Sequence, residues 1–301
     1  MTKETKEIEE IAEKIFRLDA RLPGGSRVFS VYLIQEREGV CIHPGPACAA
    51  PFVEEGMRKL GMQKLSYIIP THIHVDDGGG MGKLVELFPE AMVVVHQRGV
   101  RHVVDPSRLI QATRAVYGEA FETQYGPILP VPESQVKVPE DREVITINGR
   151  ELQIVYAPGH APHHIVIFDK RTKGLFCGQA VGLSGAAVNP FPLPSAAPPD
   201  FNLEDYLATL ERVKSLKPQL LIYPHGEVAR DPGKVISMLV DSTLLLGSLI
   251  LKAMREGKTS EAVAQDVREH ASEHLGLDLN DPGITMTVLG YINHFKKKGT
   301  T

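Results

Sequence analysis

At 301 residues, 43% apolar and 23% charged, the chain is long enough for one large domain or a domain with an appendage. A formal net charge of −4 excludes the basic field that non-specific nucleic-acid binding needs. Three cysteines (Cys41, Cys48, Cys177), none in a CxxC pair, predict a reduced, cytoplasmic setting, and the charged start Met1 to Glu7 lacks the apolar stretch of a signal peptide.

Ile8 to Ile15 predicts a short amphipathic helix. Val28 to Ile34 is β-branched and aromatic, and Gly39 to Ile42 can return beside it as a hairpin before His43-Pro44-Gly45-Pro46 ends the strand. Pro51 to Leu60 predicts a helix with proline in its first turn, followed by a buried strand over Leu65 to Pro70. A helix over Met81 to Phe88 and a buried strand over Ala91 to Val95 come next. Asp105 to Tyr117 reads as a helix capped by Asp105 with Pro106 at its first position. After a proline-rich connection from Pro127 to Pro139, Glu143 to Ile147 and Glu151 to Tyr156 flank the hairpin signal Asn148-Gly149. Ile165 to Phe168 pairs with Leu175 to Cys177, and Leu220 to Tyr223 is the last strand.

Beyond Asp231-Pro232-Gly233 the pattern is helical, over Lys234 to Arg255, Ser260 to His274 and Gly283 to Lys297. The apolar run Val235 to Leu251 is interrupted by Ser237, Asp241, Ser242 and Thr243 and reads as a buried helix, not a membrane span. The composition shift near Arg230 divides the chain into a domain over residues 1–230 and a helical extension over 231–301. Two strand-rich blocks with helices between and after them predict stacked sheets covered by helices, in four layers.

Chemistry concentrates in Thr71-His72-Ile73-His74-Val75-Asp76-Asp77-Gly78-Gly79-Gly80. Side chains two apart in extended backbone point to one side, so His72 and His74, just past a strand, can converge on one cation. Asp76 can supply an oxygen ligand or accept a proton from water. A second histidine follows a strand in Pro158-Gly159-His160, and a third in Tyr223-Pro224-His225-Gly226. Three nitrogens and an open position are the usual form of a catalytic zinc centre. Residues Ala180 to Asp200 form a long loop of low charge, either a substrate wall with Phe191 and Leu193 or a plain crossover.

These motifs, in this order and with Phe176-Cys177-Gly178-Gln179 between the second and third, resemble the metallo-β-lactamase superfamily over roughly Phe16 to Gly226. Within it the chain looks related to glyoxalase II and lactonase-like enzymes. The resemblance implies an αββα sandwich with extra C-terminal helices. It implies a first metal site of His72, His74 and His160 and a second using Asp76 and His225. The family's next histidine falls at Asp77, its bridging aspartate at Gln179, and its early aspartate at His43. Asp77 and Gln179 are therefore the altered metal-site candidates, and a weak second site is expected because a neutral amide does not offset a second dication. The changes at His43 and Asp77 look like an exchange of residue types, which requires the two side chains to lie close together.

The resemblance implies a zinc-dependent hydrolase with one or two ions, iron, manganese or nickel being alternatives. A metal-activated water, handled by Asp76, would attack a small ester, thioester, lactone or amide. Two other readings stand beside it: a degenerate member that binds a metal or ligand without efficient turnover, and a diiron redox or oxygen-binding protein. The expected partner is a small-molecule substrate, with no nucleic acid and no membrane. The C-terminal helices are left to pack on the sandwich or to form a homodimer.

Overall fold

β-Branched and aromatic residues, buried throughout residues 29–34 and 39–42, drive the first half of the chain into one sheet, each strand shielding the next from water. The computed structural model describes residues 8–21, 28–183, 192–225, 228–275 and 282–300. The first sheet runs in chain order through β1 (Ile8–Ala12), β2 (Ile15–Arg21), β3 (Val28–Ile34), β4 (Gly39–Ile42), β5 (Leu65–Ile69), β6 (Met92–Val94) and β7 (Val136–Lys137). Strands β1 to β4 pair antiparallel, and β4 to β7 pair parallel. The second sheet holds β8 (Val144–Ile147), β9 (Arg150–Tyr156), β10 (Ile165–Asp169), β11 (Gly174–Phe176), β12 (Leu220–Ile222) and β13 (Val228–Ala229), in the order β13-β12-β11-β10-β9-β8. Its β8–β9 hairpin turns at Asn148 and Gly149, both at positive φ (48° and 82°), as an Asn-Gly two-residue turn requires.

The helices among the first strands are α1 (Ala50–Lys59), α2 (Val75–Gly78), α3 (Met81–Leu87), α4 (Val100–Val104), α5 (Ser107–Tyr117) and α6 (Phe121–Tyr125). Val53 and Met57 of α1 and Leu84 and Val85 of α3 pack on Leu18, Val31, Leu33, Ile68 and Val93 of the sheet. Burying each such side chain contributes about 1.5–3 kcal/mol. The far face of the same sheet meets the second one, where the ring of Tyr32 lies 5.6 Å from that of Phe176 and its hydroxyl donates to Tyr223 O at 2.6 Å.

Contacts divide the chain into two compact units. One comprises Met1–Tyr156, Ile165–Gly178 and Leu221–Val228, and contains nearly all the strands described above. The other comprises Ala157–His164, Gln179–Leu220 and Ala229–Thr301. It contains α7 (Leu203–Ser215), capped by Asn202, and α8 (Pro232–Arg255), α9 (Ser260–Leu275) and α10 (Pro282–Lys298). In this second unit α8 packs with α7, α9 and α10, and Tyr291 of α10 donates to Thr243 O of α8 at 2.9 Å. By length and composition α8 qualifies as a membrane span, with a mean hydropathy of 1.7, yet 44% of that window is buried within the protein. Val235, Ile236, Leu239, Leu246 and Ile250 are among its buried residues.

The helix expected over Ile8 to Ile15 is replaced by the β1–β2 hairpin. Its turn holds Lys14 at φ 56°, with Lys14 N donating to Glu10 Oε1 at 2.9 Å. A register shift between Glu10 and Ala12 mimics helical spacing, so Ile11 and Ile15 are both buried without a helix. Pairing along all of β2 supplies the backbone hydrogen bonds and overrides the local helical preference of Glu and Ala. The start of α5 falls one residue later than expected, with Pro106 in the capping position and Ser107 first in the helix, while Asp105 Oδ1 accepts from Ser107 N at 3.1 Å.

Candidate metal centre

Strand β5 delivers the first histidines. Its parallel neighbours leave Ile69 and Pro70 buried, and Thr71 O then accepts from Ile165 N at 2.8 Å, which ties the histidine loop to the start of β10. His74 keeps extended backbone (φ −60°, ψ 151°) as the residue before α2. The His72 and His74 rings lie 4.6 Å apart at 83°, as two-apart residues in extended chain allow. The glycines after them serve close approach. A Cβ on Gly78 would stand 2.7 Å from His72 O, and one on Gly80 2.9 Å from both Gly45 O and Pro46 O.

His160 lies in the connection from β9 to β10. Gly159 before it has φ +130°, and a Cβ there would stand 2.4 Å from Tyr206 Cα, so only glycine lets the turn lie this close to α7. Asn202 N donates to Gly159 O at 2.8 Å, and Thr209 Oγ1 donates to Pro158 O at 2.6 Å. His160 Nδ1 donates to Ser195 O at 2.9 Å. A carbonyl oxygen only accepts, so the proton sits on Nδ1 and the lone pair on Nε2.

One side-chain nitrogen from each of His72, His74 and His160 lies within 4.8 Å of the other two. Among the described residues this is the one group of three or more His, Cys, Asp or Glu side chains so gathered. Burial, and then the neighbouring His72 ring, push His74 down to about 4 against the opposing charges of Asp76 and Asp77. The imidazole is therefore neutral near pH 7, the form a metal needs. Three imidazole nitrogens suit zinc and other divalent transition ions, so the residues present fit a cation.

Asp76 and Asp77 both occupy the first turn of α2 and are buried. Asp77, grouped with the metal-holding residues on sequence grounds, has both oxygens engaged by protein donors. Oδ1 faces His43 Nδ1 at 2.6 Å. Oδ2 accepts from Thr71 N at 2.9 Å, Thr71 Oγ1 at 2.6 Å and His72 N at 3.1 Å, and lies 3.1 Å from His72 Nδ1. Burial alone would raise this carboxyl, but the charge and hydrogen bond of His43, and those of His72, outweigh it and hold Asp77 well below the usual carboxylate range. The side chains of residues 43 and 77 are thus in direct contact, as an exchange of residue types requires.

Gln179, the other altered position, accepts from Ser195 Oγ at 3.2 Å through its side-chain oxygen. Its backbone N–H donates to His164 Nε2 at 3.2 Å, which gives His164 a hydrogen-bonding role. Ser195 Oγ also lies 3.1 Å from His160 Nδ1, so Gln179 reaches His160 through one hydroxyl. His225 follows β12, half-buried, its ring 5.6 Å from that of Phe29. Neither Asp76 nor His225 falls within the three-imidazole group. The His96 ring lies 4.2 Å from that of Tyr156, tilted by 55°, and accepts from Arg98 N, and Cys41, Cys48 and Cys177 are free thiols, two of them buried.

In the loop after Gln179, Phe191 and its neighbours from residue 184 lie outside the described residues. Leu193 is buried, Leu183 N donates to Leu193 O, and the α8 and α10 hydroxyls of Ser242 and Thr287 donate to Pro192 O and Pro194 O. Sequence reasoning missed Ser195 and Tyr206. The Tyr206 hydroxyl accepts from Gly182 N at 2.9 Å and Ser195 N at 3.4 Å. Neither residue sits in a spaced motif, so no sequence signal marks them.

A family model described as the metallo-beta-lactamase superfamily matches residues 25–225, and the chain belongs to that superfamily. It is 28% identical over 169 residues to the metallo-beta-lactamase fold-containing protein ST1585 of Sulfurisphaera tokodaii, covering 55% of this chain and 62% of that relative, less than two thirds of its length. It is 21% identical over 213 residues, 70% of this chain and 54% of the relative, to an atrochrysone carboxyl ACP thioesterase of Aspergillus fumigatus, one of the superfamily's hydrolases. The crystal structure of the metallo-beta-lactamase family protein TTHA1429 from Thermus thermophilus superposes with a TM-score of 0.73 at 19% identity, covering 96% of this chain and 95% of that one. The fold is therefore the αββα sandwich of that family with additional C-terminal helices.

Proposed function

We propose that this chain is a metal-dependent hydrolase acting on a small ester, thioester, lactone or amide. The observation that carries the proposal is the convergence of His72, His74 and His160 within 4.8 Å. Zinc is the ion best matched by three imidazole ligands, and His72, His74 and His160 would hold it. Bound there, a divalent cation polarises a carbonyl and acidifies water. Asp76, buried in the first turn of α2 two residues after His74, is the group that orients water and takes its proton. Gly159 and Ser195 set the direction of His160. A single tight ion is expected, because Asp77 is committed to His43, Thr71 and His72, and the Gln179 carbonyl to Ser195. The thioesterase among the relatives supports thioesters as the first candidate substrates.

The test is hydrolysis of a panel comprising an acyl thioester, a nitrophenyl ester, a lactone and an amide. Activity on at least one falls to the buffer rate after chelation and returns with about one equivalent of zinc. Full activity in the chelated protein, or none in zinc-loaded protein across the panel, contradicts the hydrolase reading.

A further inference from the structure

His43, Asp77 and His72 form a continuous buried chain: His43 Nδ1 to Asp77 Oδ1 at 2.6 Å, then Asp77 Oδ2 to His72 Nδ1 at 3.1 Å. All three are at most 2% exposed. His43 is held at φ 50°, a left-handed conformation rare for a residue with a side chain. Among the described residues its Nε2 has no hydrogen-bond partner, and the edges of Tyr32 and Phe176 pack around the ring. The one polar engagement of this buried imidazole is therefore with Asp77. Asp77 in turn grips the Thr71 and His72 backbone N–H groups.

We propose that His43 and Asp77 are positioning residues for the cation site, fixing His72 as the Nδ1–H tautomer with Nε2 directed at the ion. The proposal rests on the metal-site part of the function proposed above. An ionised carboxylate only accepts, and the Thr71 hydroxyl, 3.2 Å from His72 Nδ1, gives its one proton to Asp77 at 2.6 Å, so both imidazole nitrogens facing Asp77 act as donors and His72 is left one lone pair, on Nε2. His43 supplies the opposing donor that keeps the buried carboxylate oriented and compensated. Asp77 thus serves the ion through His72 without touching it, the way a carboxylate behind a ligating histidine fixes ring and tautomer.

The experiment combines zinc affinity, measured by chelator competition on the full chain, with long-range ¹H–¹⁵N correlation of the imidazoles in metal-free protein. In the wild type, His72 shows a protonated Nδ1 and an unprotonated Nε2. Asp77→Asn binds zinc about 10–100-fold more weakly and loses the single tautomer. His43→Leu weakens binding in the same direction, and His43→Gln, which keeps a donor toward Asp77, lies closer to wild type. Wild-type affinity in folded Asp77→Asn and His43→Leu overturns the proposal. So does an Nε2–H tautomer at His72 in the wild type, a readout that needs no variant to fold. If zinc binds with these dependences but no panel substrate is hydrolysed, the hydrolase reading fails and the positioning role stands.

Discussion

Replacing His72 with Ala takes zinc from about one equivalent per chain to background, and hydrolysis goes with it. His72 leaves the largest gap because three separate features converge on it. It is 1% exposed, its backbone N–H and Nδ1 both face Asp77, and it belongs to the three-imidazole group. Removing it leaves His74 and His160, two nitrogens where a catalytic site uses three protein ligands. The contrast lies in His225→Ala and Gln179→Ala, which retain the tight ion, because neither side chain belongs to that group. Metal analysis of the three purified variants reads both halves of the expectation. Retention of zinc by His72→Ala, or its loss from His225→Ala alone, contradicts the assignment.

The second large effect is on stability and lies far from the histidines. Arg150 of β9 is fully buried and forks onto Asp169 of β10, Nε to Oδ1 at 3.1 Å and Nη2 to Oδ2 at 2.7 Å. Its Nη1 reaches across to the first sheet, donating to Glu13 O at 3.1 Å. Asp169 also accepts from Thr172 N and the Thr172 hydroxyl, closing the β10–β11 turn. Arg150→Met leaves the Asp169 charge buried without its main partner and lowers unfolding free energy by roughly 3–5 kcal/mol. Arg150→Met with Asp169→Leu recovers much of that loss, since the pair is then removed whole, and Glu36, 3.5 Å from Arg150 Nη1, keeps Arg171 at 2.8 Å and Lys14 at 3.6 Å as partners. Burial raises the Asp169 carboxyl, but Arg150 and Thr172 outweigh it and hold it below the usual range. Its contribution is present above the ordinary carboxylate pKa of about 3.9 and is lost as pH falls through the lower folded value. Urea melts at pH 7 and pH 3 check both points, and a gap between wild type and Arg150→Met that does not narrow at pH 3 contradicts them.

The strands and the three-histidine cluster were legible in the sequence because their signals are local and periodic. Val28 to Ile34, the Asn148-Gly149 turn and the His-x-His pair each carry a pattern that backbone geometry turns directly into structure. The first strand was not legible. Ile8, Ile11 and Ile15 have helical spacing, and only the pairing of β2 with both neighbours makes a bulged hairpin the better solution. The role of Asp77 was half legible. Its type marks it as a ligand, and its proximity to His43 follows from the suspected exchange of residues. That its second oxygen closes on Thr71 and His72 depends on the turn geometry of α2. Ser195 was invisible, since it reaches His160 across 35 residues of chain through a backbone carbonyl.

The most direct measurement is anomalous diffraction at the zinc edge from crystals grown with zinc. One peak is expected, bonded at about 2.0–2.1 Å by a nitrogen from each of His72, His74 and His160, with Asp77 still on His43. A peak held by Asp77 or Gln179 instead, or three imidazoles too far apart to share one ion, would contradict the account.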